Sequence, residues 1–425
     1  MAREGKACAG LAGRNTAYAE EAADFGCVVG GGGVVMTEIH EIQPREQKGR
    51  DTLARYRAQL MAAAYASLRI LDGKGVDRVY SDFHDDFVVR FNENGKRSYH
   101  FFQVKTNEKR KYQWSLNDTW GLTKKDKEAR ELNEDEIKKI RNSFFGKLLL
   151  HCINFGSSCK ESTLLTNVHF EDDVESLISS IQSKSTSGRI DLIKKNFNQI
   201  YPSATPHVEE AVVDFLSKLT IEPDVSYVDP NVSDFTMRTR DAIHKYSEID
   251  LEHEEACEIA LSCIQLFFSK SFQQVLPSIT EIQLDEVAGV GLDDLLKVLS
   301  ISKDAYKVLA DGGDAKALKS ASIIQRRLSR CNAAPSIIEF CSRQKIAWDA
   351  WSREKRHDMA EFDFNLLQQE LHQVIRDWNG SNWEWLQEKL ETLSDKWKAK
   401  PVGTSVTPEL LLGGIFSTLV KTEML

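Results

Sequence analysis

From residue 47 onward the apolar positions fall into a helical rhythm. Leu53, Tyr56, Leu60, Ala63, Ala64 and Leu68 recur at three- and four-residue spacing, so residues 50–71 are expected to form one long amphipathic helix. Asp72-Gly73-Lys74-Gly75 ends it with turn chemistry. The composition then changes. Residues 76–80 and 87–91, the second run preceded by Asp85-Asp86, carry the β-branched and aromatic residues of strands. Asn92 to Lys96 has Asn94-Gly95 at its centre, a strong hairpin signal. Residues 98–105 return as the partner strand, with Tyr99, Phe101 and Gln103 on one side and His100, Phe102 and Val104 on the other. Residues 107–142 are polar and basic, 143–155 read as a short helix, and Thr163 to Asn167 as a further strand that closes a first domain near 175. Residues 179–187 hold five serines in nine and are expected as a linker or surface loop.

Beyond about residue 205 the helical period dominates, with expected helices at 208–219, 250–272, 293–310, 315–330, 358–378 and 381–398. Six of the eight tryptophans lie between 348 and 397, which suits either a packed core or a docking surface. Strands and helices do not alternate in this half, so a second α/β domain is not expected there.

The chain is 425 residues long, enough for two or three cores, and is ordinary in being 41% hydrophobic and 28% charged. Its longest apolar stretch, residues 257–268, is shorter than the ~18–20 residues a membrane span needs, so no membrane partner is expected. The eight cysteines form no C-x-x-C pair, the pattern of thiols in a reducing cytoplasm. His253-Glu254-Glu255-Ala256-Cys257 lacks the second histidine of a zinc helix. Residues 1–35 are rich in Ala and Gly and precede Met36. Their Gly30–Gly33 run has no following Lys-Ser/Thr, so they are expected as a leader without phosphate-loop chemistry. Net charge is −9, yet residues 96–147 hold 14 Lys/Arg against 8 Asp/Glu, a local basic surface in an acidic chain.

The hairpin carries the chemistry. Pairing across Asn94-Gly95 brings Asp85-Asp86, at the head of one strand, beside Gln103-Val104-Lys105 at the end of the other, and alternation puts Gln103 and Lys105 on one face. A carboxylate, an amide oxygen and an ammonium are the parts that cleave a phosphodiester with Mg²⁺ or Mn²⁺, hard cations that take oxygen ligands. Asp86 is the expected principal ligand, Gln103 a carbonyl ligand and Lys105 the group that offsets developing charge. Asp85 or Asp82 can add the charge that Gln103 lacks. A surface hairpin with an Asp and a Lys is common, so the spacing alone supports only a metal-dependent phosphodiesterase. The next residues, Lys109-Arg110-Lys111-Tyr112 and Trp114, interleave cations with aromatic rings and suit DNA contact.

Gln103-Val104-Lys105-Thr106, preceded by Asp85-Asp86-Phe87-Val88-Val89 and by a helix containing Arg55-Tyr56-Arg57-Ala58-Gln59, resembles a PD-(D/E)xK nuclease domain. It is most similar to the nuclease domain of anti-phage effectors from bacterial cyclic-oligonucleotide signalling systems, a domain paired elsewhere with HerA-type hexameric ATPases. Trp114, Gly146-Lys147-Leu148 and Leu164-Leu165-Thr166-Asn167 fit that domain's sequel, and the resemblance covers residues 45–175. It implies a restriction-endonuclease-like α/β domain followed by a mainly helical region, with Asp86, Gln103 and Lys105 catalytic and Gln59 beside them. It also implies a bacterial, cytoplasmic double-stranded DNA endonuclease that self-associates and works with a HerA-type ATPase. The expected layout is leader 1–35, nuclease domain 36–175, linker 176–204 and helical partner-binding region 205–425. Two other readings stay open: an effector switched by a cyclic oligonucleotide through its C-terminal half, and a non-catalytic DNA-binding scaffold, which Gln103 would favour.

Overall fold

The computed structural model describes residues 47–422, apart from 186, 230–231, 277, 379, 381 and 401–404; the expected leader lies outside the described residues. Helix α1 (Gln47–Ser67) runs into a short 3₁₀ turn, Leu68–Asp72, closed by Gly73 in the left-handed conformation. Strands β1 (Val76–Phe83), β2 (Asp85–Glu93) and β3 (Lys96–Lys105) then form two antiparallel hairpins. The second hairpin turns at Asn94 and Gly95, with φ 53° and 83°, as the Asn-Gly pair predicts.

After β4 (Gln113–Trp114) come three helices, α2 (Leu116–Trp120), α3 (Glu134–Asn142) and α4 (Phe144–Phe155), then strands β5 (Cys159–Thr166) and β6 (His169–Phe170). β5 lies parallel to β3, so the segment between them is a crossover. The main sheet is mixed and six-stranded, in the order β7-β5-β3-β2-β1-β8, where β7 is Leu219–Glu222 and β8 is Gly289–Val290. Period-two alternation divides it into two cores. Phe87, Val89, Phe102 and Val104 share one core with Ala58, Leu60 and Met61 of α1, whereas Tyr80, Val88, Phe101 and Leu164 share the other with Phe145, Leu148 and Cys152 of α4.

Residues 176–204 are not a linker. They are the rest of α5 (Asp172–Gln182) and all of α6 (Gly188–Ile200), whose Leu177, Ile178, Ile181, Ile193 and Phe197 are buried in the α4-side core. Part of the serine run is α5 itself, with Ser179 on its solvent face, so composition concealed a helical pattern. The expected boundary at 205 is also crossed, since β7 and β8 join the sheet from later in the chain, and Gly49–Leu425 form one compact unit.

The rest is helical: α7 (Glu209–Ser217), α8 (Val232–Ser247), α9 (His253–Ser271), α10 (Glu281–Val287), then α11 (Leu292–Val298) and α12 (Lys303–Asp311). The single helix expected at 293–310 is two, because Ser300 turns left-handed (φ 54°) and Ser302 caps α12 by accepting the Ala305 N–H. α13 (Ala317–Arg330), α14 (Pro335–Asp358), α15 (Glu361–Asp377), α16 (Trp383–Lys398) and α17 (Pro408–Thr422) complete it. Trp348, Trp378 and Trp397 are buried, which makes the aromatic segment largely core. α17 approaches α14 closely: a Cβ at Gly413 would lie 2.0 Å from the Gln344 carbonyl oxygen. Among the described residues no helix is long and apolar enough to cross a membrane.

Candidate active site

The site begins at an unusually tight reversal. β1 ends at Phe83 and β2 starts at Asp85, with His84 between them; Asp82 and His84 have φ of 55° and 65°, a conformation that Asp and His tolerate better than β-branched residues do. The β2–β3 ladder ends at the Phe87–Phe102 pair. Beyond it the Asp86 carboxylate replaces backbone pairing, with Oδ2 accepting the Val104 N–H at 2.6 Å. Oδ1 accepts from Gln59 Nε2 of α1 at 2.7 Å. The helix, the hairpin and the reversal therefore meet at one carboxylate.

Burial dominates the electrostatics of Asp86 and pushes its pKa up to about 6. The Lys105 ammonium, the Val104 N–H and Gln59 hold it lower than burial alone would, while the neighbouring Asp85 adds to the rise. Gln103 is buried, and its Oε1 has no hydrogen-bond partner. Lys105 is half-buried, with Nζ 5.5 Å from the centre of the Phe144 ring. Trp114 packs edge-on against Phe144 at 5.3 Å and donates its indole N–H to Thr166 Oγ1 at 2.9 Å, so the lysine has a braced aromatic wall.

Asp85 diverges from Asp86. Its Oδ1 accepts the Asp86 N–H at 3.0 Å and its Oδ2 lies 2.9 Å from His151 Nε2 on α4. Sequence reasoning missed His151, which belongs to no motif and lies 66 residues from its partner. The available signal was a lone imidazole inside the apolar helix that faces β3. Asp82 is exposed and opposite Asp86 in the β1–β2 register, with no hydrogen bond to the other site residues.

Lys109, Arg110 and Lys111 are exposed on the loop after β3. Arg110 pairs with Asp229 at 3.2 Å. The loop is anchored by Asn167, which accepts the Asn107 N–H at 2.9 Å and donates to Asn107 O and Asp229 Oδ1 at 3.0 and 2.7 Å.

Among the described residues no three His, Cys, Asp or Glu side chains converge as a metal cluster. The donor set that remains, one ionisable carboxylate and one orphaned amide oxygen, suits a hard cation that keeps much of its water, as Mg²⁺ does. Leaving Gln103 Oε1 buried without any partner costs about 1–3 kcal/mol, so an occupant for it is chemically reasonable.

These features describe a mixed α/β protein with a candidate site of carboxylate, amide and lysine at the end of a central hairpin. Residues 47–266, a little over half of the 425, match the family described as "Cap4, dsDNA endonuclease domain", and the chain belongs to that family. Among solved structures it is similar to the Acinetobacter baumannii Cap4 SAVED/CARF-domain containing receptor, at 12% identity and a TM-score of 0.32, covering 60% of this chain and 46% of that one. The Moraxella osloensis Cap4 SAVED/CARF-domain containing receptor is similar at 14% identity and a TM-score of 0.32, covering 57% and 46%. The chain thus covers less than two thirds of the length of the receptors it matches, 46% in each of these two alignments. No curated protein matches it.

Proposed function

We propose that the chain is a metal-dependent double-stranded DNA endonuclease of a bacterial anti-phage system, built on a PD-(D/E)xK, restriction-endonuclease-like core. The family membership of residues 47–266 supports the nuclease class. The observation that supports the site is that Asp86 accepts from Gln59 and from the Val104 N–H under the charge of Lys105, while Gln103, two residues before Lys105 on β3, has a buried oxygen with no partner.

In this reading Asp86 and Gln103 hold Mg²⁺ (or Mn²⁺), which when bound polarises the scissile phosphate and acidifies water. Gln59 and the Val104 N–H fix the orientation of the Asp86 carboxylate. Lys105, steadied against Phe144, directs its ammonium to the phosphate and offsets charge that develops there. Lys109 and Lys111 contact the DNA backbone, and the Arg110–Asp229 pair holds the loop that presents them.

The helical half serves self-association and docking to a HerA-type hexameric ATPase in the cytoplasm. A net charge of −9 leaves the isolated chain a weak DNA binder, which favours cutting inside an assembly. Plasmid cleavage with Mg²⁺, by wild type and Lys105→Ala, each alone and with the ATPase, tests both parts. Cutting by wild type only, strongest with the ATPase, is expected. Equal cutting with and without the ATPase removes the assembly, and absence of any cutting favours a non-catalytic scaffold.

A further inference from the structure

Asp85 and Asp86 are neighbours in the chain with opposite surroundings. Each carboxylate accepts two hydrogen bonds: Asp86 from Gln59 of α1 and the Val104 N–H of β3, Asp85 from the Asp86 N–H at 3.0 Å and from His151 of α4 at 2.9 Å. A carboxylate only accepts hydrogen bonds, so Nε2 of His151 carries the hydrogen in this pair. The Asp85 and His151 side chains are 8% and 12% exposed. The imidazole is locked by stacking on Phe101, with centroids 4.6 Å apart and planes 9° apart.

We infer that His151 and Asp85 form a positioning unit: His151 orients Asp85, and Asp85 holds the Asp86 backbone so that its carboxylate stands ready for a divalent cation, without being a cation ligand itself. The inference rests on the cation-binding reading above and assigns a role to α4. That helix carries Phe144 against Lys105 at one end and His151 against Asp85 two turns later. Its N-cap, Ser143, accepts the Gly146 N–H at 3.1 Å and starts it in that register.

The test is Mn²⁺ binding to the full chain without DNA, read by the loss of the free-ion electron paramagnetic resonance signal. His151→Ala is expected to weaken Mn²⁺ binding about 10–100-fold, the usual cost of losing a partner that orients a ligand. His151→Gln, whose amide can donate to the same oxygen, recovers most of that loss. Asp85→Asn keeps an acceptor for the Asp86 N–H and a polar group toward His151, and stays within about 10-fold of wild type, on the mild side of that range. Abolished binding in Asp85→Asn makes Asp85 a ligand and overturns the inference, as does unchanged binding in His151→Ala. Should His151→Ala fail to fold, the His151→Gln and Asp85→Asn pair decides alone. A wild-type chain that binds no Mn²⁺ removes the cation site itself, an outcome distinct from a wild type that binds and a His151→Ala that binds equally.

Discussion

Arg90 and Lys105 lie on adjacent strands of the same sheet, and their surroundings differ in kind. The Arg90 side chain is 4% exposed and saturated. Its Nε and Nη2 donate to Asp77 at 2.9 and 3.0 Å, Nη1 and Nη2 to Asp285 at 2.9 and 3.0 Å, and Nη1 also to Tyr80 and Glu281. Through Asp285 and Glu281 it ties α10 to β2. Lys105 has no ion pair within 4 Å among the described residues and rests near an aromatic ring. Beside it stand a carboxylate with a raised pKa and an amide oxygen with no partner. The first cluster pairs its charges, with Arg78 also set against Asp285 at 3.4 Å, and only the Arg78 Nε in it lacks a hydrogen-bond partner. In the second, the Asp86 carboxylate is hydrogen-bonded to Gln59 and Val104, while among the described residues the Gln103 oxygen has no partner and Lys105 has no ion pair. A buried charged cluster marks a candidate site when its groups are under-satisfied, and a structural joint when they are not.

The largest effect that would sharpen this contrast is on catalysis. Lys105→Ala should lower DNA cleavage by about 10²–10³-fold while thermal melting moves little, because the ammonium acts on developing charge and has no structural ion pair to lose. Retained cleavage would place the lysine outside the chemistry.

Arg90→Met should do the reverse. Stranding Asp77 and leaving Asp285 with only Arg78 and Tyr80 costs about 3–5 kcal/mol of stability, read by urea unfolding, with cleavage per folded molecule unchanged. A catalytic loss without destabilisation would break the comparison from the other side.

Asp86→Asn should abolish cleavage and yet stabilise the metal-free fold at neutral pH. In the folded chain Asp86 keeps its proton to about pH 6, whereas an ordinary aspartate releases it near 3.8. The unfolded chain therefore binds fewer protons between these values, and stability falls as pH rises through them, by at most about 3 kcal/mol. Unfolding at pH 8 should show the variant more stable by about 1–3 kcal/mol, with no gain near pH 4. A gain equal at both pH values would trace the effect to packing.

The smallest effect is at Gln103. Gln103→Leu removes the orphaned acceptor and should change stability by no more than about 1 kcal/mol in the favourable direction. Mn²⁺ affinity should fall. Unaltered affinity would show that the amide oxygen is not a ligand.

Much of the site's skeleton was visible in the sequence because its parts are local. Asn94-Gly95 forced the hairpin, and the alternation of residues 98–105 separated the faces that now meet α1 and α4. Asp86 and Gln103 each lie one residue beyond the last pair of the β2–β3 ladder, Phe87–Phe102, as the hairpin register predicts. Gln59 was expected beside them on family resemblance, and the contact with Asp86 is present. His151 was not legible, since its role depends on α4 crossing β3 at one angle. The division near 175 misled because a serine-rich composition was weighed above the helical spacing of Val174, Leu177, Ile178 and Ile181. Strands β7 and β8, four and two residues long, carry too little pattern to separate from loops.

Short-range order in this chain follows from residue type: where α1 stops, where the hairpin turns, which strand positions alternate, and that the second half is helical. Such features need only backbone preference and periodicity within a few residues. Tertiary structure alone decided which carboxylate is held by α1 and β3 and which by α4, why an aspartate's pKa is raised toward neutrality, and that late strands complete an early sheet. Each of these depends on desolvation and on partners far apart in the chain, and neither can be summed from local sequence.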